Sequence, residues 1–228
     1  MDKIKPHLWN AVVANNIPFV KILIESECNV ELGGFTTSNN REKYTTPLCA
    51  AVDAGNNEMV KILLRGQADV LPPTRDYTPL QRAARKGFFE IVETLLKHNR
   101  SKRCNDQLAA RFMNDSPYGG YTALYFALST YITDETKGSV SRFKTVSTLI
   151  DYGVDVNELY EDGLRPIQIV KNQIKHVNAS IDDLHRHGTG RDIRYLLETE
   201  HTKKDNLVAL QTLLAYTAED VGVVNSIE

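Results

Sequence analysis

The chain has 228 residues, 42% of them apolar and 25% charged, with 27 basic residues against 29 acidic ones and a formal net charge of -2. These are globular proportions, and the near balance of charge excludes a chain-wide polycation of the kind that coats nucleic acid or an anionic membrane. No apolar run approaches the ~20 residues of a spanning helix, and the stretch after Lys3 and Lys5 (Ala11 to Ala14) is far shorter than a signal-peptide core. The expectation is a cytoplasmic protein with no membrane contact, the nucleus or a host-cell cytosol being the other compartments considered.

In chain order, the first element pattern covers residues near 1–33, where Leu8 and the run Val20-Lys21-Ile22-Leu23-Ile24 set a helical register. Extra residues follow, around Gly33 to Tyr44. A second unit, near 41–72, opens on Thr46-Pro47-Leu48, and a third, near 73–105, opens on Thr78-Pro79-Leu80. These two align without a gap: Gly55 on Gly87, Val60 on Val92, Leu63-Leu64 on Leu95-Leu96. A fourth unit, near 117–157, begins at Gly120-Tyr121-Thr122-Ala123-Leu124 and ends at Gly153-Val154-Asp155-Val156-Asn157. A fifth, near 160–198, begins at Asp162-Gly163-Leu164-Arg165-Pro166-Ile167. The segment 205–228 places Leu207, Leu210, Leu213 and Leu214 at helical spacing and is expected to cap the last unit.

Each unit carries its own boundaries. Thr46 and Thr78 stand where a helix needs an N-cap, and Pro47 and Pro79 follow at the first helical position, where a missing N–H costs nothing. Gly55 and Gly87 suit a left-handed residue that ends the first helix. Val60, Leu63 and Leu64, or Val92, Leu95 and Leu96, make one apolar face on the second helix, which only a neighbouring unit can bury. Longer interruptions fall between Leu96 and Thr122, near Tyr131–Ser141 and near Gln173–Gly190, and are expected to be surface loops. Asn157 is expected to complete the turn between units through its side chain.

The Thr-Pro-Leu openings, the glycines and the Val/Leu registers resemble ankyrin repeats. The resemblance implies an all-α ankyrin-repeat solenoid, a hairpin plus two antiparallel helices per unit, with about five units and irregular insertions. It also implies a non-enzymatic interaction module that binds a partner protein with its concave face. Carried over by alignment, the groove would take Arg75 and Tyr77 from the third hairpin, Arg85 and Lys86 from the helix after it, and Tyr118 and Tyr121 from the fourth unit. Thr74 of the third unit, Ser129 of the fourth, Glu42, Lys43 and Asp53 of the second, and Glu161, Asp162 and Leu164 of the fifth are further candidates.

Two compositional features sharpen that expectation. Arg75 to Arg111 holds nine basic residues against four acidic ones, and Tyr118, Tyr121, Tyr125, Phe126 and Tyr131 lie close together just beyond. Arginine and tyrosine dominate binding energy at many interfaces, so the partner expected is an acidic protein segment. A solvated basic face is the alternative for the same residues. Chemistry leaves little trace. The three cysteines (Cys28, Cys49, Cys104) form no C-x-x-C, and no nucleophile elbow, zinc-protease or phosphate-loop motif occurs, so no cofactor, no metal and no catalytic residue is expected. Gly188-Thr189-Gly190 reads as a flexible turn, and His185 and His187 as part of a solvated loop. A secreted effector that binds a host protein and an enzyme built into the last two units remain the alternatives. Nothing in the chain matches a nucleic-acid-reading motif.

Overall fold

Short helices in this chain start and stop on local chemistry. In the computed structural model, which describes residues 7–38, 41–71, 77–101, 121–129, 139–187 and 193–224, the first helices of the first two units are α1 (His7–Val13) and α3 (Pro47–Asp53). Their second helices are α2 (Ile17–Glu25) and α4 (Asn57–Arg65). Between these units Gly34–Ser38 (β1) pairs antiparallel with Arg41–Thr45 (β2), Phe35 opposite Tyr44. The third unit is α5 (Pro79–Lys86) and α6 (Phe89–Ser101), the fourth α7 (Ala123–Ser129) and α8 (Ser139–Asp151). Two long helices, α9 (Pro166–His187) and α10 (Ile193–Val224), complete the described residues.

The caps follow the expected register. Thr46 Oγ1 accepts from Cys49 N–H at 3.3 Å, and Thr78 Oγ1 accepts from Gln81 N–H at 3.2 Å while Gln81 Oε1 accepts from Thr78 N–H, a complete capping box. Asn16 and Asn56 cap the second helices in the same way. Asn15, Gly55 and Gly87 end the first helices at φ of +55 to +69°, and Glu27, Gln67 and Gly153 take the left-handed conformation after the second helices. Asn29, Asp69 and Asp155 then close the first, second and fourth units, each accepting the N–H of the residue two places on (Glu31, Leu71, Asn157) at 2.8–2.9 Å. The turn at Asn157 is therefore made by the Asp155 carboxylate, one Asx step earlier than expected; Asn157 contributes its backbone, and its carbonyl accepts from Arg165 Nη1.

Stacking buries one valine column (Val20, Val60, Val92, Val146) and one leucine column (Leu63, Leu95, Leu149), all without exposure. The result is an all-α repeat solenoid, with first helices packed on first helices and second on second. Its last part departs from the expected loops. Ile169, Val170, Val177 and Ile181 bury one continuous stripe of α9, and neither glycine nor proline occurs from Ile167 to His187, so the segment from Gln173 to His187 is helix. Asp205 lies mid-helix in α10, where Leu207, Leu210 and Leu214 are buried on a helix that packs against α8 and α9. Gln81 and Ala84 of α5 are buried under the following unit, whereas Gln168 and Lys171, in the same register of α9, are exposed. Polar residues thus finish the stack at this end.

Candidate functional site

Of the six residues expected to line the groove, Arg75 and Tyr118 lie outside the described residues. Three of the other four, Tyr77, Arg85 and Tyr121, come together, whereas Lys86 pairs with Asp53. Arg85 ends α5 with its guanidinium carbon 5.7 Å from the centre of the Tyr77 ring. Tyr77 meets Phe126 edge-on at 4.8 Å, Phe126 meets Tyr125 at 5.7 Å, and Tyr125 meets Tyr160 at 4.9 Å. Tyr121 lies against Tyr125, ring centres 4.2 Å apart. A chain of rings therefore crosses from the third unit to the fifth. Phe126 and Tyr160 are buried and anchor it, while Tyr77, Tyr121 and Tyr125 are half-exposed.

The charges are less open than their number implied. Asp53, at the end of α3, forms an ion pair with Arg82 and another with Lys86, whose ammonium also donates to the Asp53 carbonyl at 2.7 Å. Lys97 is paired with Glu93 one turn away on α6. Two of the basic residues on α5 are thus spent on holding the third unit to the second. The Arg85 side chain is exposed over an aromatic face, and its carbonyl accepts from Arg142 Nη1 at 3.2 Å. Arg142 and Tyr160 escaped the reading of the sequence. Both follow interruptions in the repeat, and only the stacked structure brings them to this face. Among the described residues no group of three or more His, Cys, Asp or Glu is placed to hold a metal, and no helix is long and apolar enough to cross a membrane. His185 and His187 lie in α9 rather than in a loop, His185 facing His201 of α10 at 6.4 Å between ring centres.

The sequence from residue 8 to residue 107 matches the family model for ankyrin repeats (3 copies). Residues 8–107 are ankyrin repeats. The E3 ubiquitin-protein ligase XBAT33 of Arabidopsis thaliana is 36% identical over 116 residues, which are 48% of this chain and 19% of that protein. The repeat itself continues past the matched range, since Val146, Leu149 and Asp155 repeat the roles of Val60, Leu63 and Asp69.

Burial of the ring chain has a measurable consequence outside the ankyrin repeats proper. Tyr160 accepts a hydrogen bond from Thr122 Oγ1 at 3.4 Å, and burial drives its phenol well above the usual tyrosine value of 10.0, with Glu158, Asp155 and Asp162 adding to the effect. Burial and then Asp162 raise Tyr125 as well. The phenol of Tyr160 is accommodated only as the neutral form, so its contribution is complete below pH 10 and is lost as pH rises beyond that, where the unfolded chain ionises first. Tyr160→Phe is expected to flatten the alkaline decline, read as the urea midpoint against pH; a decline as steep as that of the unaltered chain would show that the phenol is not its source.

Proposed function

We propose that this chain is a non-enzymatic protein-interaction module, taking an acidic segment of a partner protein across the first helices of its third and fourth units. One observation carries the reading: Arg85 lies exposed over Tyr77, in line with the half-exposed rings of Tyr121 and Tyr125. A cation backed by aromatic faces on rigid helices can pair with a carboxylate and pack its stem, with little side-chain freedom left to lose. The sequence alignment also assigns Arg75 and Tyr118, which lie outside the described residues, to the partner-binding set, and Lys86 joins it once its tie to Asp53 is loosened. Ankyrin repeats support the module reading in general terms. The ligase activity in the relative's name is not carried over, the similarity covering 19% of that protein.

A panel of acidic peptides titrated by fluorescence anisotropy tests the reading. Arg85→Ala and Tyr121→Ala are each expected to weaken the best binder by at least about tenfold, Arg85→Ala also reducing the dependence on salt. Asp53→Asn is expected to tighten it by releasing Lys86. Unchanged affinity and salt dependence in Arg85→Ala would overturn the proposal. A pull-down that compares the native chain with one carrying Arg75, Arg85, Lys86 and Tyr121 as alanine would then name the partner.

A further inference from the structure

The chain of rings changes sign from one end to the other. At the third unit it begins under the Arg85 guanidinium. At the fifth, residues 155–165 carry four carboxylates (Asp155, Glu158, Glu161, Asp162) against one cation, Arg165, whose Nη1 donates to the Asn157 carbonyl at 2.8 Å. A tight turn presents two of these carboxylates. Tyr160 N–H donates to the Leu164 carbonyl at 3.0 Å, Gly163 takes the left-handed conformation, and the Asp162 carboxylate accepts from Leu164 N–H at 3.0 Å. Glu161 and Asp162 therefore stand exposed at the tip, while Tyr160 is buried against Tyr125. Their charge reaches the rings: after burial, Asp162 helps to raise both the Tyr125 and the Tyr160 phenols. Burial and then Asp155 raise Glu158, whose Oε2 has no hydrogen-bond partner among the described residues. Negative charge is crowded at this end, and among the described residues no ion pair neutralises Glu158, Glu161 or Asp162.

We infer that the partner segment is bipolar: its carboxylate pairs with Arg85, and a basic residue further along lies over Tyr125 against Glu161 and Asp162. This rests on the acidic-segment reading above and extends it to the fifth unit. Three ring-to-ring steps of 4.8–5.7 Å lead from Tyr77 to Tyr160, so an extended chain rising ~3.3 Å per residue crosses them in at most about five residues. A segment acidic throughout would bring its far carboxylates against Asp162, and like charges brought together at an interface suppress binding. A basic residue at that point reverses the sign of the contact. It gains the half-exposed Tyr125 face as well as the carboxylates at the tip. The two ends of the groove thus select the order of charges in the partner as well as their number.

Fluorescence anisotropy of the full chain with labelled peptides of equal length tests this. One peptide carries two glutamates in a neutral frame; two others add an arginine about four residues before or after them, and a fourth puts the arginine beside them. The expected result is that one of the two spaced peptides binds at least about tenfold more tightly than the glutamate-only peptide, and that the adjacent placement does not. Glu161→Gln combined with Asp162→Asn should remove that gain without weakening the glutamate-only peptide. Asparagine at 162 keeps an oxygen to accept from Leu164 N–H, so far-UV circular dichroism should be unchanged. No gain from either spaced arginine overturns the inference, and so does a gain that survives the double substitution or appears equally in the adjacent placement. In each of those cases the acidic-segment reading still stands if glutamate-only binding depends on Arg85. Glutamate-only binding indifferent to Arg85→Ala overturns both.

Discussion

Leu95→Ala is expected to destabilise the protein by about 2–5 kcal/mol, the range for a buried leucine whose cavity cannot collapse. Leu95 is without exposure on α6, which packs against α4 on one side and α8 on the other. In a stack whose stability is a sum of units and nearest-neighbour interfaces, a hole in the central unit weakens two interfaces together. Ile22→Ala makes the control, with a similar loss of apolar volume on a second helix that is already open to solvent. Urea denaturation of the protein, followed by circular dichroism, should lower the midpoint strongly for Leu95→Ala and hardly for Ile22→Ala. Equal shifts would mean that burial in the stack does not set the energetics.

Gly33→Ala is expected to cost about 1–3 kcal/mol although it only adds a methyl group near the surface. A Cβ on Gly33 would overlap the backbone carbonyl of Thr45, the last residue of β2 and the neighbour of the Thr46 cap. Backbone cannot rotate away as a flexible side chain can. The β1–β2 hairpin would have to shift, and with it the entry to α3. The adjacent Gly34 is equally tight against the Trp9 ring of α1, so the close approach of the hairpin to α1 needs a glycine there too. A thermal midpoint unchanged by Gly33→Ala would show that the hairpin is free to move without disturbing α3.

Legibility followed the range of the interaction. The Thr46 and Thr78 caps, the first-turn prolines and the left-handed Gly55 and Gly87 are settled within four or five residues, and each was readable. So were the valine and leucine columns, because every repeat writes the same face. Repeat length alone makes a loop of Gln173–His187, yet the segment is helix. Its own helical stripe of Ile169, Val170, Val177 and Ile181, free of glycine and proline, was the signal that could have corrected this. The turn at Asn157 was assigned one Asx step late for a similar reason: the parallel with Asn29 and Asp69 becomes visible only when the units are laid over one another.

By itself the sequence determined the unit: where each short helix begins and ends, and which side of it is apolar, since capping, left-handed turns and 3.6-residue periodicity are local. Tertiary structure alone decided what those sides meet. It made Asp53 a tie for Arg82 and Lys86 and left Arg85 standing on Tyr77, although all three cations lie on one helix. It brought Tyr160 from the fifth unit under Tyr125, and it separated Met59 and Ile62 from Phe19 and Ile22. Those last four side chains share one register and one character. What distinguishes them among the described residues is which neighbours they touch, and burial, being a property of neighbours, is written in no single repeat.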